Sequence, residues 1–246
     1  MGINTYNESS LHRTLKTLYS LEDGCKTEQE INGLIYDIID AQGNIIEIQI
    51  RNLANLLPKI TAAIKARKRI TIVHPLAVEK TIELTDNNGR VISKRKSPKK
   101  EHILSLFSEL TGIYTVLLNE HVLLETPLVS LTEHRVRTEE PVQTPNRRRR
   151  FKKNWLKTDK TLNTIIGSRR FCCAADYLSV LPESLPPEFT VKEFSAALRT
   201  DRMLPPDAAS YAPVTVWVLA HMGLLEQTGT KGKSRVYKIN SLVTKP

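Results

Sequence analysis

LIYDIIDAQGNIIEIQI, residues 34–50, is the stretch on which the reading of the chain turns. It is rich in isoleucine, too β-branched for a good helix, and broken near its middle by Gln42-Gly43. That pattern predicts a β-hairpin. Side chains alternate along a strand, so Glu47 and Gln49 share one face while Ile46, Ile48 and Ile50 take the other. Two turns are open. A three-residue loop, Ala41-Gln42-Gly43 with Gly43 left-handed, sets Asp37 opposite Glu47. A two-residue Gln42-Gly43 turn slips the register by one and takes Asp37 off that face. The longer loop is preferred, because it also aligns Ile35 and Ile39 with Asp37.

Side by side on a half-buried sheet, two carboxylates repel and are costly to desolvate. A hard divalent cation such as Mg²⁺ or Mn²⁺ removes that cost, using one or two protein carboxylates plus water and substrate phosphate. The plain alternative is a hairpin with one polar face.

Outward from the hairpin, residues 9–21 carry Leu11, Leu15 and Leu18 at helical spacing. Residues 26–33 have the form of a helix start, with Thr27 as cap and Glu30 three residues on. Residues 53–68 are helical, with Pro58 as a kink, and 69–76 form a strand ended by Pro75. A second hairpin spans 80–96 around Asn88-Gly89, then come a helix over 101–118 and a strand over 121–137. This order predicts a mixed α/β domain over residues 1–137.

Residues 138–160 hold Pro141, Pro145 and the run RRRRFKKNWLK, and predict a basic linker. Residues 161–246 then predict a small winged-helix-like α+β domain. Its helices fall at 174–181, 191–199 (capped by Thr190 and Glu193) and 214–223, followed by two strands over 224–239. The third helix is largely apolar and offers little beyond Tyr211, Thr215 and His221 to a base edge, with Trp217 read as core.

The chain has 246 residues, a formal net charge of +10 and an isoelectric point near 9.5. Residues 138–160 alone hold 8 basic and 3 acidic side chains, so polyanions are the expected partners. Candidate phosphate contacts are Arg95 and Lys96 in the 90–100 run, then Arg147, Arg148, Arg149, Arg150, Lys152 and Lys153 with Phe151 and Trp155 interleaved, and Lys231, Lys233 and Arg235 in the last turn. Each run also has an ordinary reading, as a charged strand edge, a localisation signal or a solvated turn. No apolar run approaches the roughly 20 residues of a membrane span, and residues 1–20 lack a signal-peptide core. The expectation is a soluble, cytoplasmic protein (nucleoid-associated if bacterial). Cys25, Cys172 and Cys173 form neither a disulfide framework nor a zinc motif.

Residues 20–76 resemble the PD-(D/E)xK, or restriction-endonuclease-like, nuclease superfamily, whose core runs helix, three-stranded meander, helix, strand. The resemblance implies that Asp37 and Glu47 bind the metal, that Glu28 or Glu30 is a first-helix carboxylate, and that the reaction is hydrolysis of DNA phosphodiesters. Glu30 fits a capping box equally well. Gln49 stands where the family has lysine; it can hold a water but supplies no cation. Lys59, on the following helix, is the candidate replacement. An inactive, nucleic-acid-binding or regulatory relative is the alternative. Whether the protein pairs with itself or with another protein is open.

Overall fold

The computed structural model describes residues 9–143 and 150–241. Helix α1 (Ser10–Tyr19) leads into a meander of β1 (Lys26–Ile31), β2 (Leu34–Ile39) and β3 (Ile45–Ile48). A 3-10 turn (Leu53–Leu56) opens α2 (Leu57–Lys65), which returns to β4 (Ile70–Val73), parallel to β3. Next come β5 (Leu76–Thr85), β6 (Val91–Lys96), α3 (Ile103–Leu110), β7 (Val122–Val142) and β8 (Lys153–Phe171). These eight strands form one mixed sheet, ordered β1-β2-β3-β4-β7-β5-β6 with β8 also on β7. Strands β4 and β5 pair with β7 in succession, Ile70–Val73 against Val122–Glu125 and Leu76–Thr85 against Leu128–Val136, so they run on as one line interrupted at His74-Pro75.

Helix α1 packs on one face of this sheet: Leu11 and Leu15 are buried with Ile48, Val73, Val129 and Leu131. The larger core gathers Ile45, Leu53, Ile60, Phe107 and Leu124 around α2 and α3. Pro58 sits in the first turn of α2, where its missing N–H costs nothing, and no kink results. Gly112 lets the end of α3 meet the 3-10 turn, since a Cβ there would lie 2.4 Å from the Ala54 Cβ.

Two expected segments are overturned. Residues 26–31 are a strand, not a helix: KTEQEI is polar because β1 is a sheet edge with both faces largely exposed, and the Thr27/Glu30 spacing caps nothing. Residues 138–142 and 153–160, expected within a linker, are strand as well. β7 and β8 are 21 and 19 residues long and pair antiparallel from Leu124↔Phe171 out to Val142↔Lys153. Residues 138–142 and 153–171 therefore belong to the sheet, and β8 runs straight across position 161. Arg147, Arg148 and Arg149 lie outside the described residues.

Beyond Phe171 come α4 (Ala174–Leu178), β9 (Glu188–Thr190), α5 (Val191–Thr200), α6 (Ala212–His221), β10 (Leu225–Lys231) and β11 (Ser234–Ile239), with a small sheet ordered β10-β11-β9. Thr190 and Glu193 cap α5 reciprocally, as their spacing predicts. Helix α6 packs against α3 and α5, so its apolar side chains fill the core that both units share. Trp217 is not in that core. It is 40% exposed and stacks on His221 at 3.8 Å, with Tyr114 edge-on at 5.3 Å. No helix among the described residues is long and apolar enough to cross a membrane.

Candidate active site

The β2–β3 hairpin takes the three-residue loop. Asp40 N donates to Asn44 O at 2.9 Å, the Asp40 carboxylate accepts from Gln42 N and Asn44 N, and Gly43 has φ +79°. The register Ile39↔Ile45, Ile38↔Ile46 follows, and it sets Asp37 across from Glu47. Backbone pairing stops there. Asp37 N donates to Glu47 Oε1 at 3.2 Å, and Ile48 N donates to Asp37 Oδ2 at 2.8 Å. The Asp37 carboxylate thus takes the next β3 amide of the ladder, and the two side chains occupy the place where the strands part.

On the other side, Thr27↔Ile38 and Gln29↔Tyr36 set Glu28 of β1 across from Asp37. Glu28, Asp37 and Glu47 therefore stand in one row over three strands. Glu28 reaches this row from a strand rather than from the first helix, and Glu30 is exposed on β1, away from it.

Cations from two helices meet the row. Lys59 of α2 donates to both oxygens of Glu47, at 2.9 and 2.8 Å. Lys16 of α1 bonds Glu28 Oε1 at 3.0 Å and lies 4.0 Å from Asp37 Oδ1. His12, one turn earlier on the same face of α1, places Nε2 2.7 Å from Ile48 O and 3.5 Å from Asp37 Oδ2. Both contacts are with acceptors, so Nε2 carries the proton. His12 and Lys16 are not among the residues expected from the sequence. The available signal is their spacing of four beside the Leu11/Leu15 stripe, which points them at whatever the helix covers.

The two central carboxylates differ sharply. Glu47 is only 1% exposed, and burial and the Asp37 charge push its pKa up to about 7 against the pull of Lys59. Burial also raises Asp37, but the His12 and Ile48 hydrogen bonds and the charges of His12 and Lys59 outweigh it, holding Asp37 below the usual carboxylate range. A pair that Lys59 neutralises only in part fits a hard divalent cation, which Asp37 and Glu47 would hold. Gln49 does not join them: its Nε2 donates to Arg51 O at 2.6 Å and Asn52 O at 3.3 Å. It lies on the loop side of the site.

The basic candidates lie elsewhere. Arg95 and Lys96 are exposed on β6 at a sheet edge. Arg150, Lys152 and Lys153 are exposed where β8 begins. Lys231, Lys233 and Arg235 flank the β10–β11 turn, with Lys231 bridged to Glu193 at 2.9 Å. Among the described residues, three donor atoms of the metal-binding types converge within 4.8 Å at Cys172, Cys173 and Asp176, an exposed group beside α4.

No solved structure matches the chain. An uncharacterized protein of Treponema pallidum (strain Nichols) is 29% identical over 189 residues, covering 74% of this chain and 71% of its own length. A family described as a domain of unknown function, DUF8091, matches residues 9–172. That stretch starts at the N-cap of α1 and ends one residue past β8, so it coincides with the eight-stranded sheet and its helices. The chain belongs to the DUF8091 family.

Proposed function

We propose that the chain is a metal-dependent endonuclease acting on DNA, with a restriction-endonuclease-like core followed by a winged-helix-like unit. The observation that carries the reading is the row Glu28–Asp37–Glu47, met by Lys59, at the parting of β2 and β3. The order α1, β1–β3, α2, β4, with β3 parallel to β4, supports it. So does the order α4, β9, α5, α6, β10, β11 for the second unit.

Bound Mg²⁺ or Mn²⁺ would lower the pKa of a water and offset charge on the scissile phosphate. Asp37, kept ionised by His12 and the Ile48 amide, and Glu47, its buried neighbour, would hold the ion. Lys59 supplies the cation that Gln49 lacks and keeps Glu47 in place. His12 fixes the Asp37 carboxylate and the Ile48 carbonyl together. The winged unit would contribute through the exposed turn at Lys231, Lys233 and Arg235. Its apolar third helix faces α3 rather than a groove.

A second reading has its own support. Gln49 turns its amide to the loop carbonyls and Lys59 already neutralises much of Glu47, which suits a protein that keeps the fold and binds nucleic acid without cutting it. Calorimetric titration with Mn²⁺ separates the two. The nuclease reading expects one site, lost in Asp37→Ala; no heat from the wild-type protein opposes it.

A further inference from the structure

Sheet pairing gathers a set of cations that no stretch of the sequence displays. The register aligns Ile82 of β5, Glu133 of β7 and Lys160 of β8 in one row, and sets Arg135 against Lys157 in the next. Lys80 stands two residues before Ile82, on the same face of β5. Arg51 comes from the loop after β3, four residues beyond Glu47, and its charge reaches Lys157. Four cations from three strands thus stand around one acid, and Arg51 reaches the group through Lys157.

That acid is nearly buried and already committed. Glu133, 7% exposed, accepts from Arg135 Nε at 2.8 Å and lies 3.6 Å from Lys157 Nζ. Among the described residues, Arg51, Lys80 and Lys160 have no carboxylate at ion-pair distance. The Lys157 ammonium is pulled down to about 8 by burial, then by Lys160, with Lys80 and Arg51 adding to it against Glu133. A fold that holds like charges together without enough counter-charge has a surface suited to an external polyanion. The Arg135 guanidinium carbon lies over the Trp155 ring, 3.7 Å from its centroid, while its Nε and Nη2 donate to Glu133. Beyond Trp155 the same ribbon continues into exposed Lys153 and Lys152.

We infer that Arg51, Lys80, Arg135, Lys157 and Lys160 form a platform for the phosphate backbone of a nucleic acid, leading along the β5–β7–β8 ribbon toward the end of β3. This rests on the nuclease reading for its choice of polyanion, but not on catalysis. A linear backbone suits cations drawn out along adjacent strands, and Arg51 joins the platform to the strand that carries Glu47.

The test is fluorescence anisotropy with a labelled 30-base-pair DNA duplex and the corresponding single strand, in EDTA so that nothing is cut, across a salt series. The variant is Lys80→Ala/Lys157→Ala/Lys160→Ala in the full chain. Lys192→Ala/Arg199→Ala on α5 controls for charge removal elsewhere, and circular dichroism checks folding. The platform predicts that the triple variant binds at least tenfold more weakly and that the slope of log K against log salt shrinks by about 3, close to 0.9 per lost phosphate contact. The control keeps wild-type affinity within about twofold. If the folded triple variant binds with wild-type affinity and slope, or if wild-type protein binds neither DNA, the platform is wrong. Binding that depends on these lysines, with no cleavage when metal is restored, upholds the platform and removes the nuclease reading.

Discussion

Lys59 Nζ lies 2.9 and 2.8 Å from the two oxygens of Glu47, so a helix that follows β3 delivers its ammonium onto the most buried carboxylate of that strand. The pairing explains how Glu47 is tolerated beside Asp37. Without it, only the hydrogen bond from Asp37 N would oppose burial and the neighbouring charge. Replacing Lys59 by methionine keeps the aliphatic stem and removes the charge. The Glu47 pKa should then rise above 7, as read by carboxyl NMR titration against the wild-type protein; an unchanged titration would show that Lys59 does not hold Glu47.

The same coupling makes stability depend on pH. The Glu47 pKa is raised on folding from an ordinary 4.5 to about 7, so its contribution is fully present below about pH 4.5 and declines as pH rises through 7. The penalty at alkaline pH is on the order of 3 kcal/mol, at about 1.4 kcal/mol per unit. In Glu47→Gln that decline should disappear, so urea midpoints of variant and wild type should converge at acid pH and diverge from pH 5 to 8. Asp37 acts oppositely. Its pKa is depressed, so its contribution is present above pH 3.8 and is lost as the solution becomes more acid.

Gly43 holds the hairpin register. At φ +79° an alanine is strained, and its Cβ would lie 2.8 Å from the movable Lys68 Nζ. Gly43→Ala should cost about 1–2 kcal/mol by chemical denaturation, most of it from the backbone rather than the contact.

Gly112 tests packing instead. Its φ is ordinary, but an added Cβ meets the Ala54 Cβ at 2.4 Å and Cα at 3.1 Å. Gly112→Ala should destabilise by about 1–3 kcal/mol. Adding Ala54→Gly should return part of that loss, and a double-mutant cycle should show coupling.

The shared core predicts how the protein melts. One cluster runs from Tyr36 to Leu225 and includes α3 and α6 together, so the two units should unfold in a single calorimetric transition with matching van't Hoff enthalpy. Two resolved transitions would mean that the α3–α6 contact is not part of one cooperative unit.

What the sequence reveals follows from the range of the forces involved. The β2–β3 register is legible because isoleucine alternation and a glycine at the left-handed position agree within a dozen residues. Asp37 and Glu47 are consequently drawn together as the hairpin pattern predicts, and Lys59, which only the family resemblance singles out, joins them. Strand β1 is misread because an exposed edge strand has no apolar face, and Thr27 and Glu30 then imitate a helix cap. The β7–β8 ribbon is misread because Pro141 and the basic residues that follow have a linker's composition, while the pairing of residues 124–142 with 153–171 joins positions up to 47 apart. The spacing of His12 and Lys16 beside Leu11 and Leu15 marks the face they share, but their partners, like the Lys80–Lys157–Lys160 cluster, are set by tertiary docking and strand register.

The most direct test of the central claim is cleavage. Wild-type protein and Glu47→Gln are incubated with supercoiled, linear, single-stranded and branched DNA, with Mg²⁺ or Mn²⁺ and with EDTA. The account predicts metal-dependent cutting of at least one substrate by the wild type, abolished by EDTA and reduced at least a hundredfold in Glu47→Gln. Equal cutting by the variant, or none by the wild type on any substrate, would contradict it.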